Sequence, residues 1–338
     1  MKRNAIFVIL AVLLLLSCCG CGPAQTQTPT TEPTQPVVEG EPGSVCPWEL
    51  DAVAEAKKTG TIHYYFMASH GLFMSAEENH PYKWGDSCLV VFPNGETMLI
   101  DGGMEVYAPV LVKNLKRLGI EKLDYVMMSH CHNDHCFGLL RPGGVFENFP
   151  VGKIYWTGII SENWVADAGV DLLAECEKFG YPMEALQQGD VRQFGDATME
   201  VLWPAPGRIG TGLDNATDLN NQSMVVRFDY KDHSSLFTGD LYTEAEQQVV
   251  EANGEKVDVQ LLKAPHHGSP TSSSVAFLSA VTPKLAVATG YQDVTFDMIE
   301  RYDAMGARLL YDQYNGYVHI SSDGTEMTYD TLQTRRKK

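Results

Sequence analysis

An apolar run at 123–129, "LDYVMMS", delivers the chain straight into "HCHNDHC", residues 130–136. The run has the length and composition of a buried strand. Its end presents His130, His132, Asp134 and His135, four metal-type side chains in six consecutive positions. Alternate residues 130 and 132 point the same way from extended chain, and a turn then brings 134 and 135 round. Neutral imidazole nitrogen and carboxylate oxygen suit zinc, iron or manganese. A polar, solvated loop would not need such density. Four ligands can serve two ions at two apiece, so the fold must bring further ligands from elsewhere in the chain.

Three later segments are candidates. "LFTGDL" places Asp240 just past a strand and after Gly239. "LLKAPHHGSP" places His266 and His267 just after another apolar strand. "DLNNQSMVV" places Asn220 and Asn221 before a strand, where such a pair alone reads as a turn or cap.

The intervening chain alternates between strands and helices. "TIHYYFM" suits a strand. "DSCLVVFPNGETMLIDGG" reads as strand, turn at Pro93-Asn94-Gly95, strand and Gly-rich stop. Residues 107–118 carry Leu111, Leu115 and Leu118 at helical spacing, with Pro109 in the first turn. Strands at "KIYWTG", "TMEVLWP", "VDVQLLKAP", "KLAVATG", "RLLYD" and "GYVHISSDG" interleave with helices at 162–179, 242–252, 272–281 and 296–305. "SMVVRFDYKDHSSLFTGD" reads as a hairpin turning at Lys231-Asp232. This pattern predicts an α/β or α+β sandwich, one domain over 46–338, without internal repeats.

Taken together, the four ligand-bearing segments resemble the metallo-β-lactamase superfamily, whose signature is H-x-H-x-D-H. The resemblance runs in order over roughly 60–325 and includes "WGDSCLVVFPNGETMLIDGG". It implies a four-layer αββα sandwich with the metal site at one edge. "NNQS", "TGD" and "HHGS" are similar to the hydrolase domain of the competence-channel protein ComEC and to secreted phosphorylcholine esterases. The resemblance implies two divalent ions, zinc or manganese. His130 and His132 would hold the first, Asp134 and His135 the second, and Asp240 would bridge. One histidine of the 266–267 pair would complete the second site. The family's last motif favours His267 and leaves His266 facing the substrate. True β-lactamases add a further histidine, absent here between 140 and 232. Asn221 takes that place, and Asp240 stands where many have cysteine, which argues against antibiotic hydrolysis. ComEC-type domains carry a Gly-His-Pro-like segment after the strand matching "LAVATG". Here "YQDVTFDMIERY" lacks histidine, which argues against nuclease activity.

The expected chemistry is hydrolysis of a phosphodiester or related ester. Two metals lower the pKa of a shared water and offset charge on the phosphoryl oxygens. Asp134 would orient the hydroxide while ligating, His266 would donate to the phosphoryl or leaving-group oxygen, and Asn221 would shape the open face of the first metal. Tyr82 and Trp84, in a loop, are candidate substrate contacts, since aromatic faces favour a cationic headgroup such as choline. Tyr64, Tyr65 and Phe66 read as core strand residues.

The N-terminus reads as an address. Lys2 and Arg3 precede an apolar run, Ala5 to Leu16, whose twelve residues rise only about 18 Å as a helix, short of a roughly 30 Å hydrocarbon core. It suits a signal peptide over 1–17. Leu15-Leu16-Ser17-Cys18 resembles a bacterial lipobox, implying acylation of Cys18. Residues 18–45 would then form a Pro/Thr-rich tether. This places the domain, lipid-anchored, on the outer face of a bacterial membrane. Its 25 basic and 43 acidic residues give a net charge of -18, which repels polyanions and disfavours nucleic acid as the partner. No protein partner is inferred. The remaining cysteines, 46, 88, 131, 136 and 176, show no disulfide spacing. A nuclease and a non-catalytic ligand-binding lipoprotein are the competing readings.

Overall fold

Consecutive residues of Ile62–Phe66 enter different cores. Tyr64 and Phe66 pack between two sheets, while Tyr65 packs against helices on the outer side. This two-residue period sets up the layers. In the computed structural model the described residues are 46–67, 85–161, 169–210, 212–213, 215–289 and 294–332. All belong to one unit, Val37–Lys338. Cys18, Tyr82 and Trp84 lie outside the described residues, as does the start of the helix expected at 162–179.

The strands are β1 (Ile62–Phe66), β2 (Cys88–Val91), β3 (Thr97–Ile100), β4 (Leu123–Met127), β5 (Val151–Trp156), β6 (Ile160–Ser161), β7 (Met183–Ala185), β8 (Val191–Phe194) and β9 (Ala197–Trp203). They continue as β10 (Gly212–Leu213), β11 (Val225–Tyr230), β12 (His233–Phe237), β13 (Leu261–Lys263), β14 (Leu285–Ala288), β15 (Arg308–Tyr311), β16 (Val318–Ser322) and β17 (Met327–Thr331). One sheet has the order β17-β16-β1-β2-β3-β4-β5-β7, the other β15-β14-β13-β12-β11-β9-β8, and β10 pairs with β6. Met98, Ile100, Met127 and Tyr155 of the first sheet meet Met199, Val226, Phe228 and Phe237 of the second in the central core. Burial of each such side chain contributes roughly 1.5–3 kcal/mol.

Helices cover both outer faces. α1 (Ala52–Thr59), α2 (Ala108–Arg117), α3 (Asn133–Leu140), α4 (Val145–Asn148) and α5 (Gly169–Phe179) lie against the first sheet. After the short α6 (Ala216–Asn220), α7 (Thr243–Asn253), α8 (Val275–Val281) and α9 (Phe296–Ala304) cover the second. The layers are therefore αββα. Ser274 caps α8, its Oγ accepting from Phe277 N at 3.1 Å. No helix among the described residues is long and apolar enough to cross a membrane. Cys46, Cys88, Cys131, Cys136 and Cys176 are buried, and no disulfide joins them among the described residues.

Two local readings need correction. The turn expected after His132 is the first turn of α3, with His132 in the extended N-cap position. The strand expected over 257–265 is only Leu261–Lys263, because a 3-10 turn occupies Gly254–Val257. The edge strand β17 and helix α1 escaped the sequence reading. β17 alternates weakly because it is largely exposed, and α1 buries only Ala52 and Ala56.

Candidate metal centre

Both sheets deliver their functional side chains to one edge. β3 runs into Asp101, and β4 into Ser129 and His130. α3 starts there with Asp134 and His135 in its first turn. From the second sheet β12 ends at Gly239-Asp240, and β13 leads into His266 and His267. Backbone bonds lock these segments together. Gly102 N donates to His135 O at 2.7 Å, Gly138 N to Gly103 O at 2.7 Å, and Asp86 N to Asp134 O at 3.2 Å. Met224 N donates to Ser129 O at 2.7 Å, joining the two sheets.

The local backbone is strained. Asp101, His266 and His267 have φ of 56°, 45° and 57°. Such conformations cost non-glycine residues about 1–3 kcal/mol each and persist only where the surroundings hold them. Gly239 has φ of 51°, and a Cβ there would lie 2.6 Å from Ser223 Cβ. The Ser223 hydroxyl in turn accepts from Asp240 N at 3.0 Å.

The side chains form two groups. In the first, His130 Nε2 and His132 Nδ1 face each other at 2.9 Å. In the second, Asp240 Oδ2 lies 3.1 Å from His267 Nε2, 3.2 Å from His135 Nε2 and 3.9 Å from His266 Nε2. Asp134 Oδ2 lies 3.2 Å from His267 Nε2 and 3.8 Å from His135 Nε2. The tautomers follow from the outer nitrogens. His267 Nδ1 is 2.8 Å from the Thr289 carbonyl, and His135 Nδ1 is 2.9 Å from Asp101 Oδ2. Both oxygens can only accept, so both Nδ1 atoms carry the proton and both Nε2 atoms face the carboxylates.

This arrangement fits a divalent cation. A neutral Nε2 and a carboxylate oxygen are both acceptors, and at 3.1–3.2 Å they repel unless positive charge lies between them. His135 Nε2 is buried without a hydrogen-bond partner despite Asp240 Oδ2 nearby, so the two atoms are not aimed at each other. Asp240 Oδ1 is likewise buried without a hydrogen-bond partner. The carboxylates favour positive charge at this point, whether as a proton on either ring or as a metal ion in its place. Burial opposes charging of His135 and His267, but Asp240 with its neighbouring carboxylates outweighs it and holds both imidazoles well above their usual range. Burial likewise opposes the charge on Asp240, and His267 and His135 overcome it, holding that carboxyl well below its usual range. Burial, with His135 adding, pushes His130 well down, and burial brings His132 to about 4. These two present neutral rings, the form that binds a metal.

The structure brings together His130, His132, Asp134, His135, Asp240 and His267. His266 stands at the rim. Its Nδ1 is 2.6 Å from Thr271 Oγ1, and its ring lies 4.7 Å from that of Tyr242. Asn221 is tied down through its two carbonyl oxygens. Its side-chain carbonyl accepts from Tyr242 N at 3.1 Å, and its backbone carbonyl accepts from Trp203 Nε1 at 2.8 Å. It holds the turn that follows Asp240. The cysteines beside the motif also have local tasks: Cys131 donates to Ile159 O and Cys136 to His130 O, both at 3.1 Å.

Four buried polar residues escaped the sequence reading: Asp86, Asp101, Ser129 and Lys263. Asp101 accepts from Ser129 N at 2.8 Å and from Ser129 Oγ at 2.7 Å while it orients His135. The available signal was an acidic residue beside glycine at a strand end, in "GDS" and "IDGG", the same cue that marked Asp240.

Residues 83–141 match the model of the metallo-beta-lactamase superfamily. That span contains the H-x-H-x-D-H signature. Competence protein ComA of Neisseria gonorrhoeae is 27% identical over 242 residues, covering 69% of this chain and 30% of that protein. ComE operon protein 3 of Bacillus subtilis is 27% identical over 277 residues, covering 74% and 34%. The chain thus spans about a third of the length of these relatives. Among solved structures, the metallo-beta-lactamase fold protein YhfI of Bacillus subtilis aligns with a TM-score of 0.47 at 14% identity, covering 74% of this chain and 95% of that one. A diphosphatase from the PhnP family aligns with a TM-score of 0.44 at 14% identity, covering 77% and 98%.

Proposed function

We propose that this metallo-beta-lactamase superfamily hydrolase is a dinuclear phosphodiesterase acting on envelope or small-molecule phosphoesters. The observation that carries the reading is the position of Asp240, one carboxylate oxygen of which faces three imidazoles within 3.9 Å. Its Oδ2 thus faces the second group, and its Oδ1, buried without a hydrogen-bond partner, leaves an oxygen for the other ion. In this reading His130 and His132 hold the first ion, Asp134, His135 and His267 the second, and Asp240 both. Two bound divalent ions, zinc or manganese, would supply an activated water and neutralise charge on a phosphoryl group.

The chain's own residues do the rest. Asp101 and the Thr289 carbonyl fix the rings of His135 and His267 through Nδ1, so their Nε2 atoms need no reorientation. Asp134, with Oδ2 3.2 Å from His267 Nε2, would orient the attacking oxygen while ligating. Burial lowers the pKa of His266, so its ring is neutral near pH 7. Thr271 lies at its Nδ1, which leaves Nε2–H of the neutral ring to hydrogen-bond a phosphoryl or leaving-group oxygen without giving up its proton. Residues 1–22 support an anchored location, with Cys18 acylated and the domain on the outer face of the membrane.

A nuclease is the second reading, favoured by the competence proteins among the relatives and opposed by the net charge of -18. The test is turnover of bis-p-nitrophenyl phosphate, glycerophosphocholine and end-labelled DNA by zinc- and manganese-loaded protein, beside His132→Ala and Asp240→Ala. Hydrolysis of the small diesters, lost in both variants, is expected. Full activity in either variant would sink the site assignment. Metal-dependent cutting of DNA alone would favour the nuclease.

A further inference from the structure

Behind His267, on its Nδ1 side, lies a buried ion pair that the chemistry above does not use. Asp86 is 5% exposed and Lys263 is 4% exposed. Lys263 Nζ pairs with Asp86 Oδ2 and donates to the Ala264 carbonyl at 3.0 Å. The Thr289 hydroxyl donates to Asp86 Oδ1, and that same oxygen lies 3.3 Å from His267 Nδ1. Asp86 also holds the ligand helix, since its backbone N donates to the Asp134 carbonyl.

Asp86 has donor atoms close enough to His135, Asp240 and His267 to count with them as a four-residue metal cluster. Its contacts argue otherwise. Both carboxylate oxygens are engaged by protein donors, and the carboxylate faces Nδ1 of His267, whereas Asp134 and Asp240 face Nε2. It therefore sits in the layer behind the ligands.

We propose that Asp86 is a positioning residue for His267: held by Lys263 and the Thr289 hydroxyl, its carboxylate flanks the Nδ1–H that the Thr289 carbonyl accepts and, as the anion on that side of the ring, strengthens Nε2 as a ligand of the second metal. This rests on the reading of His267 as a ligand. An anionic partner behind a ligating imidazole orients the ring and raises its basicity, and losing such a partner typically weakens metal binding 10–100-fold. Lys263 keeps the carboxylate ionised in an interior where an unpaired charge is costly. Lys263 is the last residue of β13, the strand that leads into His267.

The test separates positioning from mere structural pairing. Zinc affinities at both sites would be measured by chelator competition, together with Tm, for the wild-type protein, Asp86→Asn, Lys263→Met and Asp86→Asn/Lys263→Met. Asp86→Asn sets an amide against the Lys263 ammonium, so it should lose stability as well as second-site affinity. The double variant removes both charges and should regain most of the lost Tm. Its second site should stay 10–100-fold weaker in zinc, with the first site unchanged. A double variant that regains both Tm and second-site affinity would reduce the pair to a structural contact and overturn the proposal. Equal affinity at both sites in all variants would overturn it as well. Wild-type protein that binds no zinc would remove the functional reading beneath it.

Discussion

Gly138→Ala should destabilise this protein even though the residue lies inside a helix. In an exposed helix interior the same change gains about 1 kcal/mol. Here a Cβ on Gly138 would sit 1.9 Å from the Gly102 carbonyl oxygen, 2.8 Å from Gly102 C and 3.1 Å from Gly103 O. All three are backbone atoms, and Gly138 N already donates to Gly103 O at 2.7 Å. Relief needs a shift of more than about 1 Å between α3 and the turn after β3, since carbon contacts settle near 3.5–4.0 Å. Overpacking of this kind costs roughly 1–3 kcal/mol and exceeds the propensity gain. The same shift moves Asp134 and His135, four and three residues earlier on α3, away from Asp240. Urea unfolding and zinc titration of Gly138→Ala would read both effects. Gly180→Ala is the control: its φ is 70° with open space around it, so it reports backbone strain without a clash. The expected result is a net loss of up to about 2 kcal/mol and at least tenfold weaker zinc binding in Gly138→Ala. A variant as stable as wild type with full zinc affinity would refute the wedging of α3 against residues 102–103.

Other outcomes follow from the same geometry. His267→Ala should lose the second zinc as well as activity, whereas His266→Ala should keep both ions and lose turnover; metal content after dialysis distinguishes them. Burial holds His63 and His233 at about 4, below the ordinary 6.5, so the unfolded chain binds protons first as pH falls. Their contribution is fully present above pH 6.5 and is lost between 6.5 and 4, by up to roughly 3 kcal/mol each. Urea midpoints across that window should fall with pH, and a flat profile would contradict the burial argument. Chelation should lower Tm of the loaded protein, because ions bound to the native state stabilise it by mass action. An unchanged melting curve after verified metal removal would count against a site built from the folded sheets.

The sequence by itself determined the local half of this protein. Strand periods, the turn at Pro93-Asn94-Gly95, the hairpin at Lys231-Asp232 and the crowding of His130 to His135 are short-range patterns. Each is set by a few neighbouring residues, so each was legible. Gly239-Asp240 and His266-His267 were legible for the same reason, as polar residues where apolar strands stop. Which donors face which was not. Asp240 reaches His135 and His267 only because β12, β13 and β4 end at the same edge of two packed sheets, and a side-chain period gives a face without naming the partner across it. The order of residues singled out Asn221, but only folding shows that its side-chain carbonyl accepts from Tyr242 N. Nothing in the sequence paired Asp86 with Lys263. The tertiary structure buried them together behind His267, because an interior charge is tolerated only where the fold supplies its counter-ion.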